Sequence, residues 1–294
     1  MPDSKTSVVD YLKSLPLYVL PHHAISRLVY ALTRVRSPLK NPFMRWFIHH
    51  FRVDMTEALE SNPRAYASFN EFFTRAIRPE LRPLAKAPEV VASPVDATVS
   101  QAAPIEAGRL IQAKGHDYSV LELLGGSDSL ANEFAGGSFT TLYLSPRDYH
   151  RIHMPVDGTL RRMTYVPGRL FSVAPHTVRT IPRLFARNER VVTVFDTPLG
   201  AMAMVLVGAI NVAAIETVWA GLVTPPHGRR ISNSRYGEDR PAPYLRKGEE
   251  MGRFNMGSTV ILLFADSGVN WSDDLVPGAA VRMGHEIGRG PAGE

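Results

Sequence analysis

The chain has no cysteine. Disulfides, thiolate nucleophiles, cysteine-zinc sites and iron–sulfur clusters are therefore excluded. Acidic residues are missing from one long stretch. Residues 11–52 hold Lys13, Arg27, Arg34, Arg36, Lys40, Arg45 and Arg52 but no Asp or Glu, and His22, His23, His49 and His50 add to the bias. Long apolar runs are scarce. The longest, from Leu199 to Ile215, is broken by Asn211 and followed by Glu216. It is short for a membrane span and reads as two buried strands with a turn near Gly208–Asn211. No basic start followed by an apolar core, the pattern of a secretory signal, is visible. A Gly-x-Ser-x-Gly elbow and a His-Glu-x-x-His motif are both absent, which argues against an α/β-hydrolase and a helical zinc site. A formal G-x-G-x-x-G at Gly288, Gly290 and Gly293 has no helix after it and carries no dinucleotide reading.

What is present is enough for a core: 45% of the 294 residues are hydrophobic. The net charge of +5 suits an anionic partner, whether nucleic acid, acidic lipid or a carboxylate substrate. Ile25, Leu28, Val29 and Leu32 follow helical spacing. Asn41–Pro42 predicts a cap and first turn for a second helix carrying Phe43, Trp46 and Phe47 on one face. Such a basic helix pair with aromatic faces suits an anionic membrane surface, or else a helical arm packed on its own core with its charges solvated. Asp54–Glu57 and Ser68–Glu71 both read as capping boxes. From about residue 90 strand-like runs dominate: Thr140–Leu144, Val191–Phe195, Met202–Val207, Val212–Val218 and Val260–Phe264. The expected class is α+β, a β-rich core (66–294) behind a helical arm (1–65). Ser93–Val99 and Met154–Leu160 echo one another as tight turns leading into strands.

Three blocks carry candidate chemistry. In Lys247–Val260, a Gly-rich lead ends at Gly257–Ser258–Thr259, directly before an apolar run. A serine there can attack the preceding carbonyl, because glycine shields it little. In Ser145–Pro155, His150 and His153 stand three apart between two prolines. No third ligand with metal spacing follows, which leaves backbone-satisfied histidines or an acid/base pair with divided roles. In Pro94–Val95–Asp96 the aspartate alone is a turn residue. Combined, Ser, His and Asp form a nucleophile, a base and an orienter, a set that recurs on unrelated folds.

These blocks resemble those of the phosphatidylserine decarboxylases of bacterial type. Phe72–Arg75, Gln112–Gly115, Leu184–Arg190 and Thr217–Gly221 resemble further segments of that family, in order, from about residue 66 to 285. Ala97 stands where the family has glycine and Met256 where it has leucine, which touches local turn geometry only.

The resemblance implies a self-cleaving proenzyme. Asp96 would orient His153, and His153 would take the proton of Ser258. Ser258 would attack the Gly257 carbonyl, and the chain would part into 1–257 and 258–294, which stay associated. Ser258 would become a pyruvoyl group, so neither PLP nor a metal would be needed. Its ketone would decarboxylate phosphatidylserine to phosphatidylethanolamine through a Schiff base. His150 would protonate the product carbon or contact the substrate carboxylate, with Asp148 supporting the histidines. The resemblance also implies a peripheral protein at the cytoplasmic side of the cell membrane, no nucleic-acid partner, and room for a homodimer. A Ser-His-Asp hydrolase, a pyruvoyl decarboxylase of a soluble amino acid and a non-enzymatic binding module stay open at this point. Only the pyruvoyl readings require the chain to cut itself.

Overall fold

The computed structural model describes residues 7–113, 115–210, 214–238, 240–256, 259–265 and 268–291. Gly257 and Ser258 lie outside the described residues.

The apolar runs become the middle of a nine-stranded antiparallel sheet. Along its main path run Ser232–Arg235, Gly158–Val166, Arg190–Thr197, Gly200–Val207, Thr259–Phe264, Ser138–Tyr143, Ala97–Pro104 and Ala280–Val281, with Tyr244–Leu245 pairing beside Gly158–Val166. The strand Thr259–Phe264 is buried at all six positions. It bonds Gly200–Val207 on one side and Ser138–Tyr143 on the other. A strand with no wet face needs apolar side chains throughout, and Val260, Ile261, Leu262, Leu263 and Phe264 supply them. At about 1.5–3 kcal/mol per buried side chain, this strand contributes on the order of 10 kcal/mol of gross apolar stabilisation.

A second sheet orders Gly221–Thr224, Ile215–Thr217, Glu250–Phe254 and Arg151–His153. The expected run Val212–Val218 is thus shorter, its described part being Ile215–Thr217. The two echoed turns each lead into a strand, Ala97–Pro104 and Gly158–Val166.

The arm is helical, in three main helices: α1 (Val8–Ser14), α2 (His22–Thr33) and α3 (Lys40–Phe51). α3 begins at Lys40 after Leu39, with no side-chain cap, so the Asn41 cap is corrected. Asp54–Glu57 is a turn closed by Asp54 Oδ1, which accepts from Thr56 N at 2.8 Å, and no helix follows. Its carboxylate found a nearer amide than a helix would offer. Ser68 does cap α4 (Phe69–Phe73), accepting from Glu71 N at 3.2 Å. Glu71 reaches the amide of Ala67, not that of Ser68.

α2 is oriented against the usual rule. Its buried residues are His22, Ser26 and Thr33, whereas Leu28 and Leu32 are about three-fifths exposed at 58% and 61%. The Leu28–Leu32 side of the apolar stripe faces outward, and Ile25 and Val29 are half-buried. Most large exposed apolar side chains among the described residues belong to this arm, Val19, Leu39, Phe43 and Trp46 among them. α3 turns Met44 and Phe47 inward onto Phe69, Phe72 and Phe73, with Met256 against the same cluster. No helix among the described residues is long and apolar enough to cross a membrane.

Candidate active site

Backbone hydrogen bonds bring the three candidate blocks together. His153 N donates to the Pro94 carbonyl at 2.9 Å, tying the histidine block to the Asp96 turn. Phe254 N donates to the His150 carbonyl at 3.0 Å, tying the same block to the lead into residue 257. Tyr143 pairs with Thr98 on one side and Thr259 on the other. Asp96, His150, His153 and the residues flanking Gly257–Ser258 therefore share one end of the main sheet.

His153 is held at both ring nitrogens. Nδ1 bonds the Gly248 carbonyl at 2.8 Å and Nε2 bonds the Tyr149 hydroxyl at 2.9 Å. A carbonyl can only accept, so Nδ1 carries the proton and Nε2 the lone pair. Burial lowers the His153 pKa, against the opposing pull of the Gly248 carbonyl, which keeps the ring in the base form. Gly248 is itself constrained. Its φ is +83°, and a Cβ would come within 2.8 Å of Leu84, so a glycine presents this carbonyl.

Asp96 is engaged elsewhere. Its carboxylate accepts from Arg82 Nε at 2.9 Å, from Arg82 Nη2 at 2.5 Å and from the Met283 amide at 2.8 Å. Arg82 also reaches Glu57 at 2.6 Å. In this structure the contact that orients His153 is therefore the Gly248 carbonyl, with Asp96 acting on the ring as a nearby negative charge.

His150 has no exposed surface. Its Nδ1 bonds the Asp148 carbonyl at 2.8 Å, Phe73 packs on the ring at 4.1 Å, and Nε2 has no partner. Burial, and then the Arg75 guanidinium, hold its pKa down to about 3. Asp148 closes the turn that delivers it, accepting from the Ser145 amide at 2.7 Å. Burial raises the Asp148 pKa. Support of the histidine thus runs through the Asp148 main chain.

Arg75, Tyr149 and Gly248 were not singled out from sequence. Arg75 is 4% exposed, and it donates through Nη2 to the Arg147 carbonyl at 3.1 Å. Its Nε and Nη1 have no partner among the described residues. Thr259 Oγ1 is likewise buried, with no partner among the described residues. Unpaired buried polar groups are costly, and a cation with free donors favours an anion. The only sequence signal was position: Arg75 closes the Phe72–Arg75 segment and Tyr149 stands between Asp148 and His150.

The fold and this end of the sheet define an enzyme-type core with a neutral buried histidine pair, a buried arginine only part of whose donors are bonded, and a central strand beginning beside them. Comparison with known proteins narrows the class. A sequence model described as phosphatidylserine decarboxylase matches residues 69–289, and one described as PSD matches residues 12–52. A phosphatidylserine decarboxylase proenzyme of Alkalilimnicola ehrlichii is 60% identical over 262 residues, 89% of this chain and 91% of its own. Another, of Stutzerimonas stutzeri, is 56% identical over 282 residues, 95% of each chain. A third, of Shewanella loihica, is 52% identical over 284 residues, 96% of this chain and 99% of its own. The class is that of the decarboxylating lyases. The chain belongs to the phosphatidylserine decarboxylase family.

Proposed function

We infer that this chain is a phosphatidylserine decarboxylase made as a proenzyme that cuts itself between Gly257 and Ser258. The observation that carries the reading is the convergence of the Asp96 turn, the His150–His153 segment and the strand starting at Thr259. The Tyr149 hydroxyl that donates to His153 Nε2 turns aside, and the neutral, basic nitrogen takes the Ser258 hydroxyl proton. Ser258 Oγ attacks the Gly257 carbonyl carbon, the 257–258 amide gives way to an ester, and elimination of that ester separates the chains. The enamine left at the head of the second chain tautomerises to an imine, takes up one water and loses ammonia, which leaves a pyruvoyl group there. The Gly248 carbonyl keeps His153 in place, burial keeps it uncharged, and Asp96 favours the charged ring once the proton has arrived.

The surroundings fit such a group: the hydroxyl of Thr259, next to Ser258, and His150 Nε2 and two Arg75 donors nearby are buried without partners among the described residues. The pyruvoyl ketone supplies the electron sink that no side chain offers when CO₂ departs. Arg75 holds an anionic group of the substrate. His150, neutral and with its lone pair on Nε2, accepts a proton from the serine ammonium and returns it to the carbon that has lost CO₂. This refines the expectation of a ready-made donor, since a ring that is neutral with its proton on Nδ1 must first be charged.

The division into an arm (1–65) and a core (66–294) belongs to the same reading. The arm rests on the cytoplasmic leaflet as a peripheral anchor, with Leu28, Leu32, Leu39, Phe43 and Trp46 toward lipid and its basic residues among anionic headgroups. The Leu28–Leu32 side turned outward on α2 supports this. Intact mass of the purified protein tests the proposal. Two chains, 1–257 and 258–294, are expected, the second lighter than a serine-terminated chain by one ammonia. Active protein of full-length mass would refute it, and a hydrolase using the same residues would give that mass.

A further inference from the structure

His23, near the start of α2, lies against His227 from the loop that follows Gly221–Thr224, their ring centroids 4.6 Å apart. Glu189, immediately before the strand Arg190–Thr197, completes the group. One ligand atom from each of the three residues falls within 4.8 Å of the others. Side chains of His227 and Glu189 are nearly sealed, at 4% and 2% exposure.

The hydrogen bonds settle which nitrogens are available. His23 Nε2 bonds the Gly168 carbonyl at 3.0 Å, and a carbonyl only accepts, so a neutral His23 has its lone pair on Nδ1. His227 Nδ1 bonds the Glu189 carboxylate at 2.7 Å, so a neutral His227 has its lone pair on Nε2. His23 Nδ1 is buried and has no partner among the described residues. The Gly168 carbonyl on the far nitrogen of His23 is the outer-shell arrangement that fixes a metal-binding histidine, and an ion between His227 Nδ1 and Glu189 would take the place of their shared proton. Glu189 is fixed in turn by the Tyr165 hydroxyl at 2.5 Å.

Tyr165, which bonds Glu189, and Pro226 and Gly228, which flank His227, line a neighbouring cavity of about 490 Å³ together with Arg229 and Arg230. Ligand distances of about 2.0–2.2 Å place the ligands of a tetrahedral ion ~3.3 Å apart. The three ligand atoms here lie within 4.8 Å of one another.

We propose that His23, His227 and Glu189 form a site for a divalent transition-metal ion of the zinc class, one that clamps the helical arm to the catalytic core. Imidazole and carboxylate suit zinc, and the carboxylate supplies the compensating charge. The ion would join α2 to the segments before Arg190–Thr197 and after Gly221–Thr224, far along the chain from Asp96, His150 and His153. It is a clamp and takes no part in decarboxylation.

The test uses the untagged full chain, stripped with a chelator and titrated with Co²⁺ under visible absorbance, then with Zn²⁺ as competitor. One equivalent of Co²⁺ per chain should give a saturating band that Zn²⁺ displaces. Zn²⁺ should also raise the thermal midpoint, because a ligand that binds only the folded state stabilises it. His23→Gln and His227→Gln should each weaken binding at least tenfold and abolish the thermal shift. Both variants are to be checked for an unchanged circular dichroism spectrum. Absence of saturable binding overturns the proposal and leaves a histidine pair that holds only a proton. Equal binding by the parent and both variants overturns it too.

Discussion

Protonation of His150 provides a quantitative test of how the site is built. The ring is fully buried, its Nδ1 is committed to the Asp148 carbonyl, and Arg75 stands beside it. Its pKa is about 3 in the folded chain, against about 6.5 for an unperturbed histidine. A group whose folded pKa lies below its unfolded pKa contributes stability that is fully present above the unfolded value and is lost as the pH falls toward the folded one. The window is therefore about pH 6.5 down to about 3. At about 1.36 kcal/mol per pH unit, the full loss is on the order of 5 kcal/mol, and the part between pH 6.5 and 5 is about 2 kcal/mol. The second interval is the useful one, since most carboxylates have not begun to titrate there. Urea unfolding of the Ser258→Ala precursor, a single chain, should be compared with that of Ser258→Ala/His150→Leu. Leucine keeps an apolar filling and removes the proton site. The parent should lose about 2 kcal/mol more than the double variant between pH 6.5 and 5. Parallel stability curves would show that His150 is already charged or freely solvated, and the proton-acceptor role would fall with it.

Four other outcomes are expected. Gly248→Ala should slow processing at least tenfold, because a Cβ at φ +83° meets Leu84 and shifts the carbonyl that holds His153; gel densitometry of precursor against product measures it, and unchanged processing refutes it. His153→Ala should accumulate precursor, whereas His150→Ala should cleave yet release little CO₂; the reverse pattern would mean the two roles are exchanged. Arg75→Leu should leave cleavage intact and raise KM for phosphatidylserine about tenfold or more, in line with the loss of a charged hydrogen bond; equal loss of both activities would instead indicate a folding role. Vesicle flotation should show binding that grows with anionic lipid and weakens at high salt, each basic side chain contributing about 1 kcal/mol near the surface. Equal binding to neutral vesicles would refute the electrostatic part.

Much of the core was legible because a strand buried on both faces must be written in apolar letters, as Val191–Phe195 and Val260–Phe264 are. Helical periodicity located α2 but could not say which side faces inward. The packing buries His22 and Ser26 through contacts made from far along the chain, such as the Leu170 amide on His22 Nδ1. The same limit explains Asp96. Its residue type fitted an orienter, but Arg82 and the Met283 amide take its oxygens, and neither pairing leaves a mark in spacing. Asp54–Glu57 fitted a capping pattern, yet that pattern describes a local turn equally well. The partner of His153 is a main-chain carbonyl, which no residue type can advertise.

The placement of Thr259–Phe264 in the middle of the sheet sets the order of events in the life of this molecule. A fragment ending before residue 258 would have a gap where that strand belongs, with two unsatisfied strand edges facing one another. Under the proposed cleavage the precursor must therefore be folded before it is cut, and the intact linkage would serve as an assembly tether that is used once. After cleavage, unfolding releases two separate molecules, and regaining the fold requires a bimolecular encounter with a partner that is prone to aggregate. Mature protein would thus persist by the slowness of its unfolding, with no route back through the precursor, and each copy would be renewed only by fresh synthesis.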